Sequence, residues 1–283
     1  MKESKKIIIA VIILVILMFI SAYDRVHYIS SGMQIIKDSN RIEDVNIEAV
    51  KATVLNYTGY DTFINGIGKG VIPIATIISP LILGYLFAGK FAYELKTGYG
   101  NMVITRQKFK QYFINIVKKT FIKSFLVIFF SETIFLIICL LIFGWRAPTE
   151  LHIQVFDSIS WMFYKTPFLY CLIHIFKQSL YLSIITIIGM TFTVFTKNKF
   201  IIALSPFIIY LLINIICPIL DMVIDASPLK MIYPDYLILS FMTGTYFMDN
   251  PVIHNIGGFA IYISIAVALL LFMYKKYNKN YLR

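Results

Sequence analysis

The chain has 283 residues, 59% of them hydrophobic and only 14% charged, with a mean hydropathy of +0.77 and a formal net charge of +11. So little charge cannot wet the surface of a soluble domain of this size, so the bulk of the chain must use lipid as its solvent. The excess of cations does not mark a nucleic-acid binder, because Lys and Arg are scattered along the borders of apolar runs.

A helix rises about 1.5 Å per residue, so roughly 20 apolar residues cross a hydrocarbon core about 30 Å thick. Six runs meet that test, at residues 7–23, 71–91, 121–143, 168–195, 200–220 and 256–274. The expected fold is an all-α polytopic membrane protein, a single membrane domain over residues 1–283 with six transmembrane helices. The first run follows Lys5 and Lys6, as a secretory signal would, but Ile20-Ser21-Ala22 is a poor cleavage site and a retained span is expected. Six spans place both termini on one side. The segments assigned to that side hold most of the cations and, of the acids, only Glu3 and Glu94. Cationic loops resist translocation, which predicts cytoplasmic N- and C-termini in a bacterial plasma (cell) membrane.

Between the first two runs lies an outer loop over 24–70. Asn40 and Glu43 resemble a capping pair, and Ile42, Val45, Ala49 and Ala52 recur at helical spacing, predicting a short amphipathic helix. Gly66-Ile67-Gly68-Lys69-Gly70 lacks the spacing of a phosphate loop and reads as a flexible entry to the second run. The outer loop over 144–167 carries Trp145, Trp161, Phe163 and Tyr164, rings suited to the headgroup level. In the third outer loop, 221–255, the apolar stretch 236–247 is too short to cross and predicts a re-entrant or surface helix between spans five and six.

Two ionisable side chains fall near the middle of their runs, Glu132 in the third and Lys177 in the fourth. An unpaired charge there costs at least about 2.5–3.5 kcal/mol, which makes the two plausible partners. Tyr170, His174, Lys177, Gln178 and Tyr181 share one helix face. That stripe reads either as a polar seam between helices or as part of a translocation pathway. Asn214, between Pro206 and Pro218, reads as a kink-and-hydrogen-bond device. Cys139, Cys171 and Cys217 read as small apolar core residues. None of the four histidines has ligand spacing to another, and there is no nucleophile elbow or zinc-protease helix. No metal site and no catalytic site is expected, so the chain is not expected to be an enzyme.

The basic segment 92–120 stands apart. Gly98 and Gly100 break the helix that carries Glu94; Met102, Val103 and Ile104 make a small apolar knob ahead of Thr105 and Arg106. An aromatic, basic run from Arg106 to Lys123 then suits an interfacial helix before the third span. A carboxylate at the inner end of span two, a glycine four residues on and a short apolar-Thr-Arg segment resemble ABC type-2 exporter permeases, of the bacterial bacteriocin-immunity and antimicrobial-peptide export type. At motif level the likeness covers only about residues 93–112. It implies that Glu94, Gly98, Met102, Val103, Ile104, Thr105 and Arg106 couple to a cytoplasmic ATP-binding-cassette ATPase, and that a second permease copy or homologous permease completes the transporter. ATP and Mg would sit on that partner, leaving no cofactor in this chain. The chain departs from the family in the few residues before span one, where many members carry an amphipathic elbow helix, and in its long first outer loop. Glu132, His174, Lys177, Gln178 and Asn214 are the intramembrane candidates for the pathway. Competing readings are a non-transporting sensor or immunity protein that binds a ligand through its outer loop, and an ion-coupled secondary transporter.

Overall fold

A computed structural model describes residues 3–37, 57–69, 74–97, 108–148, 163, 165–224 and 251–281. Every regular element among them is helical. They are α1 (Glu3–Lys37), α2 (Gly59–Ile64) with a π turn (Asn65–Lys69), and α3 (Ile74–Leu83) with a π turn (Gly84–Ala88) running into α4 (Gly89–Lys96). After these come α5 (Phe109–Phe143), α6 (Pro167–Met190) with a 3₁₀ turn (Thr191–Val194), α7 (Lys199–Ile224) and α8 (Pro251–Tyr281). Six helices are long and apolar enough to cross a membrane: Glu3–Tyr23, Ile74–Glu94, Phe109–Phe143, Pro167–Val194, Lys199–Ile216 and Ile256–Lys279. The molecule is an all-α, multi-pass membrane protein. Glu3 meets Lys90 and Lys123, and Tyr277 meets Phe91 and Thr193, so both chain ends lie at one end of the bundle, termed here the terminal face.

The fourth crossing is the central strut. In its most apolar window 78% of residues are buried, against 28% in the first and fifth crossings and 22% in the sixth. That is why its sequence tolerates polar side chains: it faces protein, not lipid. Helix α7 lies close against both α6 and α3. A Cβ at Gly84 would collide with the Ala203 carbonyl, and one at Gly189 with the Pro206 ring, so these two glycines set the approach. Ser205 Oγ then donates to the Gly189 carbonyl at 2.8 Å across the same contact. Pro80 inside α3 removes a backbone donor shortly before the π turn, so the second crossing is irregular at mid-depth.

Three readings of the loops change. Helix α1 does not stop at the membrane edge near Tyr23 but continues to Lys37, since the polar residues there include no proline and nothing ends the hydrogen-bond ladder. Its Ile29 packs with Tyr57 and Phe143. The stretch 59–67, whose last residues Gly66 and Ile67 read from sequence as part of a flexible entry, is helical and buried. Thr58 caps α2, with Asp61 Oδ2 accepting from the Thr58 N–H at 2.9 Å and from its hydroxyl at 2.7 Å. Gly59 is the close-packing residue here, because an added Cβ would lie 2.6 Å from the Cys139 carbonyl oxygen. Finally, residues 109–123 form no separate interfacial helix. They are the first turns of the 35-residue α5. The predicted helix over 40–52, the stretch 236–247 and Trp161 lie outside the described residues.

Candidate functional site

The two main apolar clusters stack along the bundle, and the boundary between them is polar. Toward the terminal face one cluster takes Leu14 from α1, Leu83 from α3, Val127 and Ile128 from α5, and Tyr181 and Leu182 from α6. Toward the opposite face the other takes Met18, Ala75, Phe135, Leu136, Cys171 and Ile175 from the same four helices. Between them lie Ser79 on α3, Ser131 and Glu132 on α5, and Lys177 and Gln178 on α6, with His174 about one turn farther toward the opposite face, all buried. The helical period that places Val127, Ile128, Phe135 and Leu136 inward places Glu132 inward with them, half-way along the apolar run. All five residues of the predicted stripe, Tyr170, His174, Lys177, Gln178 and Tyr181, lie on the buried face of α6.

Most hydroxyls near this layer turn back onto their own helix. Ser79 donates to the Ala75 carbonyl, Ser131 to Val127 and Ser179 to Ile175, each at 2.6–2.7 Å. Glu132 is different. It is 0% exposed, and neither carboxyl oxygen has a hydrogen-bond partner among the described residues. The expected Glu132–Lys177 pair is not made: the ion pairs among the described residues are those of Glu3. The two side chains occupy one layer without joining. A buried ion pair offsets its desolvation only when both partners gain further hydrogen bonds, and Glu132 makes none among the described residues. His174 stands edge-on to the Phe63 ring at 6.3 Å between centroids. Asn214 Nδ2 donates to the Tyr210 carbonyl one turn back at 2.8 Å, so its bond stays within α7 and bridges no neighbour. Cys139 and Cys171 are buried free thiols, in keeping with their reading as core residues.

At the terminal face a second polar site gathers the ends of α1, α4 and α5. Glu3 Oε1 accepts from Lys123 Nζ at 2.7 Å and from Lys90 Nζ at 3.3 Å. Tyr112 donates its hydroxyl to Glu94 Oε2 at 2.8 Å. These groups line a cavity of about 280 Å³ that also includes Lys119 and Asn115. Beside it an aromatic cluster holds α8: Phe91 meets Tyr277 edge-on at 5.6 Å, and Phe109 stacks on Tyr274 at 5.6 Å. Tyr277 and Lys276 also donate to the carbonyls of Thr193 and Val194, tying α8 to the end of the fourth crossing. Of the predicted coupling residues, Glu94 is therefore placed at this junction. Gly98, Met102, Val103, Ile104, Thr105 and Arg106 lie outside the described residues.

Sequence reasoning missed two features. Glu3 was counted only as a minority charge, although its being one of two acids on a cationic side was the available signal. The other is an apolar groove of about 490 Å³ between α5, α6 and α8, lined by Val117, Phe121, Ile184 and Val267 among others, with Lys118 as its one charged residue. Its walls come from three separate runs, so no local pattern announces it. Among the described residues no group of His, Cys, Asp and Glu is placed to hold a metal ion. Comparison with protein-family models, with curated proteins and with solved structures matches none.

Proposed function

We propose that the chain is the membrane-spanning permease subunit of an ATP-driven exporter that moves a hydrophobic or amphipathic substrate, such as a peptide, an antibiotic or a lipid-like compound, out through a bacterial plasma membrane. The observation that carries the reading is the junction at the terminal face. The linker 98–107 departs from α4 and returns into α5, and those two helices are bonded to each other through Glu94 and Tyr112. Glu3 adds α1 to the same group through Lys90 and Lys123. A force on the linker from a cytoplasmic ATP-binding-cassette ATPase reaches three crossings at once. The second crossing has the irregular mid-depth segment, Pro80 and the π turn at Gly84–Ala88, at which its two halves can repack. Repacking between two discrete arrangements, rather than continuous bending, is how such a push becomes inward-closed and outward-open states. The apolar groove on α5, α6 and α8 supports an apolar substrate class, and a second permease copy or homologous permease completes the pathway. ATP and Mg belong to the ATPase.

The test is co-purification with candidate ATPases followed by ATP-dependent transport in vesicles. Glu94→Ala and Met102→Asp are expected to leave assembly and ATP hydrolysis in place while transport falls by an order of magnitude or more. Wild-type transport by either variant in assembled complexes ends the assignment. Glu132 favours a second reading, an ion-coupled carrier, because a carboxyl at mid-membrane is a natural ion or proton site. Transport that runs on a proton gradient without any ATPase, and that Glu132→Gln abolishes, selects that reading.

A further inference from the structure

The cavity at the terminal face has a chemistry of its own. Lys90, Lys119 and Lys123 line it together with the Tyr112 hydroxyl and Asn115, against the carboxylates of Glu3 and Glu94. Glu94 is engaged by Tyr112. Glu3 bridges Lys90 and Lys123, while Lys119 forms no ion pair among the described residues. The cavity thus holds two carboxylates of the chain's own against three lysines, and Lys119 is the cation to spare.

Its depth identifies the ligand. Glu132 marks the middle of the third apolar run. At about 1.5 Å per residue, Lys123 and Lys119 lie roughly 14 and 20 Å from that level, bracketing the edge of a hydrocarbon core about 15 Å in half-thickness. That is the depth of lipid phosphates. On α1 and α5, Ile8 and Leu126 are exposed farther in, offering apolar surface for acyl chains beneath a headgroup. Basic pockets between transmembrane helices take anionic headgroups for this reason.

We infer that this three-lysine cavity is a seat for the phosphate of an anionic phospholipid, and that Glu3 is an internal competitor for it. The Glu3 bridge is half-exposed, with side-chain accessibilities of 46% for Glu3, 44% for Lys90 and 31% for Lys123, so water already screens it and little opposes its exchange. A phosphate brings more acceptor oxygens than a carboxylate and can engage Lys119 as well. When it binds, Glu3 is released and the ion-pair contact from α1 to α4 and α5 opens. Lipid and the α1 latch then exclude each other at one site.

The experiment is native mass spectrometry of the full-length protein in detergent, counting retained phosphatidylglycerol against phosphatidylcholine of the same acyl composition. Wild-type protein is expected to retain phosphatidylglycerol preferentially. Lys119→Gln should cut that preference about fivefold, the attraction of roughly one lysine for an anionic surface. Lys119→Arg should keep it, and Lys275→Gln, at the terminal end of α8, should leave it unchanged. Glu3→Gln should raise it, the opposite of what losing a supporting salt bridge would do. The inference is overturned by equal retention of the two lipids, by a loss in Lys275→Gln or Lys119→Arg that matches Lys119→Gln, or by reduced retention in Glu3→Gln. Displacement of phosphatidylglycerol by millimolar inorganic phosphate would assign the cavity to a soluble anion and likewise overturn it.

Discussion

Asp61 and Glu132 are both sealed from solvent, 2% and 0% exposed, and the contrast between their surroundings separates two kinds of buried carboxyl. Asp61 sits near the face opposite the termini and closes the start of α2, accepting from the Thr58 N–H and hydroxyl in a reciprocal capping box. Its work is structural: without it a buried helix start has open donors. Glu132 sits in the polar layer between the two apolar clusters, where neither oxygen is bonded among the described residues. No packing role accounts for it there. A carboxyl that serves the fold is surrounded by donors of its own element; Glu132, with neither oxygen bonded among the described residues, lacks that signature.

That contrast can be broken or sharpened by thermal unfolding of purified variants. Asp61→Ala should have the largest effect, destabilising by about 2–4 kcal/mol, because two buried donors on Thr58 lose their acceptor. Glu132→Met should go the other way, from neutral to about 1–3 kcal/mol more stable, since an apolar side chain of similar volume replaces a carboxyl without partners. Should Glu132→Met fall as far as Asp61→Ala, Glu132 has a structural role and the distinction fails. Lys123→Gln, at the half-exposed terminal bridge, should cost under about 1 kcal/mol, and less again in high salt. A larger or salt-independent loss there would mean that the α1 latch carries more of the fold than its exposure allows. Glu94→Ala removes the single part-buried bond from Tyr112 and should cost about 0.5 kcal/mol, the low end for one hydrogen bond.

The sixfold apolar pattern was legible because lipid imposes it: about 20 apolar residues are needed per crossing whatever the neighbouring helices do. The inward face of α6 was legible for the same reason, since polar residues spaced from Tyr170 to Tyr181 cannot all face hydrocarbon. Glu94 could be singled out as an acid among cations at the end of a span. The pairing of Glu132 with Lys177 was inferred from depth alone, and depth does not give direction about the helix axis or the reach of a side chain. The buried turn at Asp61 was hidden by its composition, because Asn, Gly and Thr mark loops in water and here cap and pack a helix against the Cys139–Leu140 backbone.

What the sequence determined by itself is the solvent of this protein: the number of crossings and the side of the bundle on which cations collect. Those follow from transfer energies that act on each residue separately and sum along the chain. Which polar groups meet was decided only by the tertiary structure. Glu3 reaches Lys123 across 120 positions, and the cavity and groove are walled by helices far apart in sequence. Such contacts depend on helix rotation and close approach, set by single residues such as Gly84 and Gly189, and no sum over local preferences contains them.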